Sequence, residues 1–71
     1  MEELVVLERN YYKEPKKGIS IVGDELITII GEQIAEYEGE IYDQYIYTID
    51  GYEPKNGKPF MGLKANVILL K

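Results

Sequence analysis

Cysteine, histidine and tryptophan are absent from this 71-residue sequence, while proline occurs three times and phenylalanine once. Without cysteine there is no disulfide frame and no thiolate zinc site, and without histidine the commonest general base and metal ligand is gone. Catalytic triads pairing serine or cysteine with histidine are excluded, and the single Ser20 has nothing to activate it. No Gly-x-Gly-x-x-Gly and no Gly-Lys-Ser/Thr occurs among the seven glycines, so phosphate-cradling loops are missing too. A calcium loop needs closely spaced oxygen ligands, to which Asp24-Glu25 and the pair Asp43 and Asp50 are the nearest approximations. The expectation is a noncatalytic protein without cofactor or metal.

Long hydrophobic runs are also scarce. The opening Met1-Glu2-Glu3 is acidic where a signal peptide is basic, and the apolar run that follows, Leu4 to Leu7, is only four residues long. This predicts no targeting segment or membrane span and a cytoplasmic location. Ordering about 70 residues costs on the order of 100 kcal/mol, which a chain this short offsets only with one tightly filled core. Residues 1–71 are accordingly read as a single domain, with no room for a deep substrate cleft.

Positive charge is confined to the two ends of the sequence. Between Gly18 and Pro54 there is no Lys or Arg, while Asp24, Glu25, Glu32, Glu36, Glu38, Glu40, Asp43, Asp50 and Glu53 are all acidic, within a chain of net charge −5. Duplex binding draws most of its affinity from phosphate neutralisation, so this stretch argues against a nucleic-acid partner on that surface. Lys13, Lys16 and Lys17 with Lys55 and Lys58 could form a separate basic edge.

What is abundant is β-branched and aromatic. Leu4 to Leu7 reads as a first strand, within residues 3–8, and Asn10 to Gly18, punctuated by Pro15, as a long surface loop. Ile19 to Val22 and Leu26 to Ile30 flank Gly23-Asp24, which suits a two-residue hairpin turn with Ile21 opposite Leu26 and Ile19 opposite Thr28. Both faces of that hairpin are apolar, predicting that both are covered. Glu32 to Glu38 fits either a short helix or a strand. From Tyr37 the alternation through Gly39 and Ile41 favours a strand, with Glu36, Glu38 and Glu40 along its other face. Tyr42-Asp43-Gln44 reads as a turn, Tyr45 to Ile49 as a strand ended by Asp50-Gly51, and Tyr52 to Pro59 as a loop with a tight Asn56-Gly57 turn. An extended segment at Phe60-Met61, one helical turn over Leu63 to Asn66 and a final strand Val67 to Leu70 complete the chain. Short strands with regular turn signals predict an all-β fold, a small barrel of five to six antiparallel strands.

The segments Tyr37-Glu38-Gly39-Glu40-Ile41, Tyr45-Ile46-Tyr47, Asp50-Gly51, Gly57-Lys58-Pro59-Phe60, Leu63 and Leu69-Leu70 are spaced as in SH3-like barrels, and Val22 to Ile27 resembles the start of one. The sequence over residues 18–70 thus resembles this group, which includes KOW-type domains and many small prophage proteins. The resemblance implies a small barrel with one helical turn before the last strand, of a kind that binds peptides, nucleic acids or other subunits. The basic residues of nucleic-acid-binding KOW domains are missing around Gly39.

Seven tyrosines are the other unusual feature, each offering a large apolar body with a hydroxyl that wants a partner. Tyr37, Tyr45 and Tyr47 suit the core, whereas Tyr11, Tyr12, Tyr42 and Tyr52 fall in segments read as loops. The resemblance implies that these four, near acids such as Asp43, could line a peptide groove. The expected function is a protein-interaction module whose acidic, tyrosine-bearing surface, made of Glu36, Glu38, Glu40, Asp43, Tyr11, Tyr12, Tyr42 and Tyr52, binds a basic partner or subunit. One alternative is an inhibitor in which Glu36, Glu38, Glu40 and Asp43 imitate phosphate spacing. Another is a weak nucleic-acid-binding barrel using the lysine edge with stacking tyrosines. An exposed edge at Leu4 to Leu7 or Val67 to Leu70 leaves monomer and homodimer both open.

Overall fold

In the computed structural model, which describes residues 3–70, the chain forms five antiparallel strands: β1 (Val5–Ser20), β2 (Glu25–Tyr37), β3 (Glu40–Ile49), β4 (Phe60–Leu63) and β5 (Val67–Leu69). A 3₁₀ turn, Lys64–Asn66, separates the last two. Their order across the sheet is β4-β3-β2-β1-β5, so the chain meanders through four strands before β5 returns to pair with Gly18, Ile19 and Ser20 of β1. The curled half-barrel that results is compatible with an SH3-like fold. Among the described residues no helix is long and apolar enough to cross a membrane.

Four features depart from the sequence reading. Asn10 to Gly18 is strand, not loop: β1 continues through it, with Tyr12, Lys13, Glu14 and Pro15 bulging opposite Ile30 alone. Pro15 falls inside that bulge, where its missing N–H forfeits no ladder hydrogen bond. The β1–β2 connection is a four-residue turn, Ile21 to Asp24, pairing Ile19 with Leu26 and Ser20 with Glu25. Asp24 rather than Gly23 takes the positive φ, and the Ile21 amide donates to the Asn66 carbonyl, which assigns Ile21 to the β5 crossover instead of to β2. The slip from the expected register is two residues, so each side chain keeps its face.

Only one face of this hairpin is covered. Ile27 and Ile29 are fully buried, whereas Leu26 on the other face remains 54% exposed. The fourth departure lies further along. Glu32 to Tyr37 is entirely strand, Tyr37 pairs with Glu40, and the chain reverses at Glu38-Gly39 with φ of 49° and 80°. The alternation expected to run through Tyr37 and Ile41 is therefore split by a tight turn, and Tyr42-Asp43-Gln44 lies inside β3. Two positive φ angles are the signature of a hairpin turn whose twist matches its strands, and Gly39 supplies the second without steric cost. The strand at Tyr45 to Ile49, the break at Asp50-Gly51, the Asn56-Gly57 turn, the single helical turn and the last strand follow the expectation.

Buried positions alternate along β2 through Ile27, Ile29, Gly31, Gln33 and Ala35, with Ile46 of β3 completing the apolar core. At Gly31 a Cβ would stand 2.5 Å from the Asn10 carbonyl oxygen, so only glycine lets β1 approach there. The neighbouring Ile30 is an extra residue relative to β3, since Ile29 pairs with Tyr47 and Gly31 with Ile46. Bulges on both sides of β2 at one level sharpen its bend and curl the sheet. Phe60 packs between Tyr47 and Tyr52, with ring centroids 6.0 and 5.9 Å away.

Candidate interaction surface

Beyond Gly31 the start of β1, the end of β2 and the start of β3 lie in register, with β4 reaching as far as Leu63 opposite Gln44. Residues directly opposite each other share a face. One face therefore carries the row Val6, Ala35 and Tyr42 and the row Arg9, Gln33, Gln44 and Leu63, and the other carries Val5, Glu36 and Ile41 and then Glu8, Ile34 and Asp43.

On the first face a polar ladder crosses the sheet. Gln33 is 2% exposed; its Oε1 accepts from Arg9 Nε and Nη2 at 3.0 and 2.9 Å, and its Nε2 donates to Gln44 Oε1 at 2.8 Å. No buried side-chain polar atom is left without a partner among the described residues, so this ladder is satisfied. Above it lies an open depression of about 250 Å³ lined by Leu4, Tyr37, Tyr42, Gln44 and Leu63. Leu4, Val6, Tyr37, Met61 and Leu63 are each more than a third exposed, leaving apolar surface here uncovered.

The opposite face is closed by a cationic clamp. Lys64, on the 3₁₀ turn, places its Nζ 2.8 Å from Glu32 and 3.1 Å from Asp43, with the Tyr45 ring 5.1 Å away. Tyr12 donates its hydroxyl to the same Glu32 oxygen at 2.8 Å. The Lys64 and Tyr12 hydrogen bonds hold the Glu32 carboxyl below its ordinary range. Lys64 is shifted upward, chiefly by its bond to Glu32. Burial, followed by the bond to Glu32, pushes the Tyr12 phenol up to about 12.

The expected site residues are thereby divided. Glu36, Glu38 and Glu40 gather at the tip of the β2–β3 hairpin, but on different sides of it: Glu36 opposite Ile41, Glu38 in the turn and Glu40 opposite Tyr37. They do not form a single row. Among the described residues the ion pairs use Glu32, Asp43 and Asp50, so the three tip carboxylates meet no lysine or arginine. Tyr42 is at the same tip, donating to Glu40 at 3.1 Å, and that bond raises its phenol pKa. Asp43 is tied to Lys64, Tyr12 to Glu32, and Tyr52 packs on Phe60, beyond the opposite end of β3. Tyr11 is exposed on β1 opposite Gly31. The four tyrosines thus do not converge on one groove.

Of the lysine edge, Lys17 is held by Asp50 and Thr28 at 2.7 Å each, and Lys16 lies over the Tyr12 ring at 4.8 Å. Its hydrogen bonds from Lys17 and Thr28 hold the Asp50 carboxyl below its usual range. Among the described residues no cluster of three or more acids could hold a metal ion. Sequence reasoning missed Leu4, Gln44 and Leu63 as parts of the surface; they come together only through the cross-strand register, which the misread turn at Glu38-Gly39 concealed. Comparison with family models, curated proteins and solved structures finds no match.

Proposed function

We propose that this protein is a noncatalytic interaction module that binds a basic protein partner at the tip of its β2–β3 hairpin. The observation that carries the reading is the juxtaposition of three carboxylates without an ion pair among the described residues, Glu36, Glu38 and Glu40, with the uncovered apolar depression formed by Leu4, Tyr37, Tyr42 and Leu63. Carboxylates on a solvated tip cost little to keep and gain from an approaching cation, while the apolar patch supplies the area that a lasting contact needs. The tyrosines suit this arrangement, presenting a rigid apolar ring with a hydroxyl at its rim. Phosphate mimicry fits less well, because the tip acids face different ways and Asp43 is engaged by Lys64. Within SH3-like barrels, a tip without lysine or arginine points to protein rather than to the nucleic acids of KOW-type domains.

The test compares the intact chain with a Glu36→Lys/Glu38→Lys/Glu40→Lys variant. Proteins retained from native lysate by the intact chain are purified, whether or not the variant also retains them, and titrated against both at matched salt. Losing three attractions at roughly 1 kcal/mol each and setting three like charges in their place predicts weakening of at least about a hundredfold, shrinking as salt rises. Equal affinity for both forms refutes the reading.

A further inference from the structure

The uncovered apolar patch adjoins an unpaired strand edge. In the sheet, β1 has β2 on one side; on its other side β5 reaches only Gly18 to Ser20, with flanking bonds from Leu70 N to the Lys17 carbonyl and from Ile21 N to the Asn66 carbonyl. From Val5 to Tyr11 that second side meets no strand among the described residues. The edge carries one protective device, the register irregularity between Val6 and Glu8; otherwise Leu4, Val5, Val6 and Leu7 are all exposed, no proline or lysine interrupts them, and the one basic side chain, Arg9, is turned onto Gln33. Leu4, just before β1, and Leu63, the last residue of β4, both line the depression, and β1 and β4 have free edges at this end of the half-barrel.

We infer that β1 binds its partner by strand addition along Val5 to Tyr11, the occupant being an extended peptide that alternates apolar and basic residues. The alternation follows from the rows. An added strand puts every second side chain on the face of Val6, Ala35, Tyr42 and Leu63, which is apolar apart from the Arg9–Gln33–Gln44 ladder, and the others on the opposite face, where a basic side chain meets Glu8 and Glu36 set among Val5, Ile34 and Ile41. A second copy of this chain fits worse: isologous pairing about a two-fold axis would set the same acidic margin, Glu3, Glu8 and Glu36, against itself in a chain of net charge −5. This inference rests on the proposed function and specifies its mode.

The test uses the intact chain and an octapeptide alternating valine and lysine, followed by amide hydrogen exchange and by chemical shifts at the hairpin tip. At a peptide concentration of about ten times Kd, exchange in the segment Val5 to Asn10 is expected to slow about tenfold, because only about a tenth of the molecules remain free. A control octapeptide alternating valine and glutamate, and a valine–lysine peptide N-methylated at alternate amides, are expected to give no protection. If the N-methylated peptide binds equally, or the tip shifts move without protection of β1, strand addition is overturned while the hairpin-tip reading stands. If neither lysine peptide binds, both fall. Protection that grows with protein concentration in the absence of peptide assigns the edge to a homodimer and overturns the inference.

Discussion

Replacing Gln33 by leucine isolates the worth of the buried ladder. The substitution keeps side-chain bulk but removes the acceptor for Arg9 and the donor for Gln44, at a site 2% exposed. Arg9 lies at the surface and recovers water, so its lost bonds cost about 1 kcal/mol. Gln44 is half-buried, and losing its partner while stranding its oxygen adds about 1.5 kcal/mol, of which leucine's own burial returns a few tenths. The expected loss is about 2 kcal/mol, or a fall in Tm of about 10 °C for a domain this small. Thermal and urea denaturation of wild type, Gln33→Leu, Gln44→Leu and the double variant would measure it. The cycle decides, because the double variant leaves no amide stranded and is expected to be more stable than the sum of the singles by about 1 kcal/mol. Gln33→Leu within 0.5 kcal/mol of wild type, roughly the error of such cycles, or strict additivity, would refute the reasoning.

Four further outcomes follow from the backbone and the ion pairs. Gly31→Ala drives a Cβ to 2.5 Å from the Asn10 carbonyl oxygen and is expected to cost about 3 kcal/mol in urea denaturation, a strand separation rather than a side-chain adjustment. At the hairpin tip Gly39→Ala meets no neighbour, so its cost of about 1 kcal/mol is purely that of φ +80°, while Glu38→Asn, better suited to φ 49°, raises stability by about 0.5 kcal/mol in the same assay. Because the folded-state pKa of Glu32 is depressed below its ordinary 4.5, the unfolded chain binds the proton first. Its stabilisation is complete above about 4.5 and is lost as pH falls through the folded value, so Glu32→Gln is expected to flatten the acid limb of a Tm-versus-pH curve.

Strand content, the last three elements and the Asn56-Gly57 turn were legible because each carries its own local signal: β-branched residues, a tight-turn dipeptide, or polar residues between apolar runs. The misread segments are those where tertiary partners override that signal. Tyr12 to Pro15 looks like a loop and is strand only because β1 can bulge at an edge. Tyr42-Asp43-Gln44 looks like a turn because its polar side chains are there for Glu40, Lys64 and Gln33, residues that no local pattern connects to it. Glutamate is a poor residue at positive φ, so Glu38-Gly39 did not advertise a hairpin. Once that turn was missed, the tip acids fell onto one face of a strand that does not exist. Their closeness along the sequence was readable; their orientation and the apolar depression beside them were not.

The return of β5 to Gly18 joins segments about fifty residues apart through only three paired positions, whereas β1 to β4 pair as neighbours along the chain. Local hairpins close cheaply and distant pairs must first overcome the entropy of the intervening loop, so the meander forms before β5 docks. Until then the unpaired side of β1 runs the length of a 16-residue strand. A crowded refolding mixture thus offers every chain an extended template for its neighbours, and the docking of Val67, Ile68 and Leu69 closes only its Gly18 to Ser20 end, while Val5 to Tyr11 stays open in the finished fold.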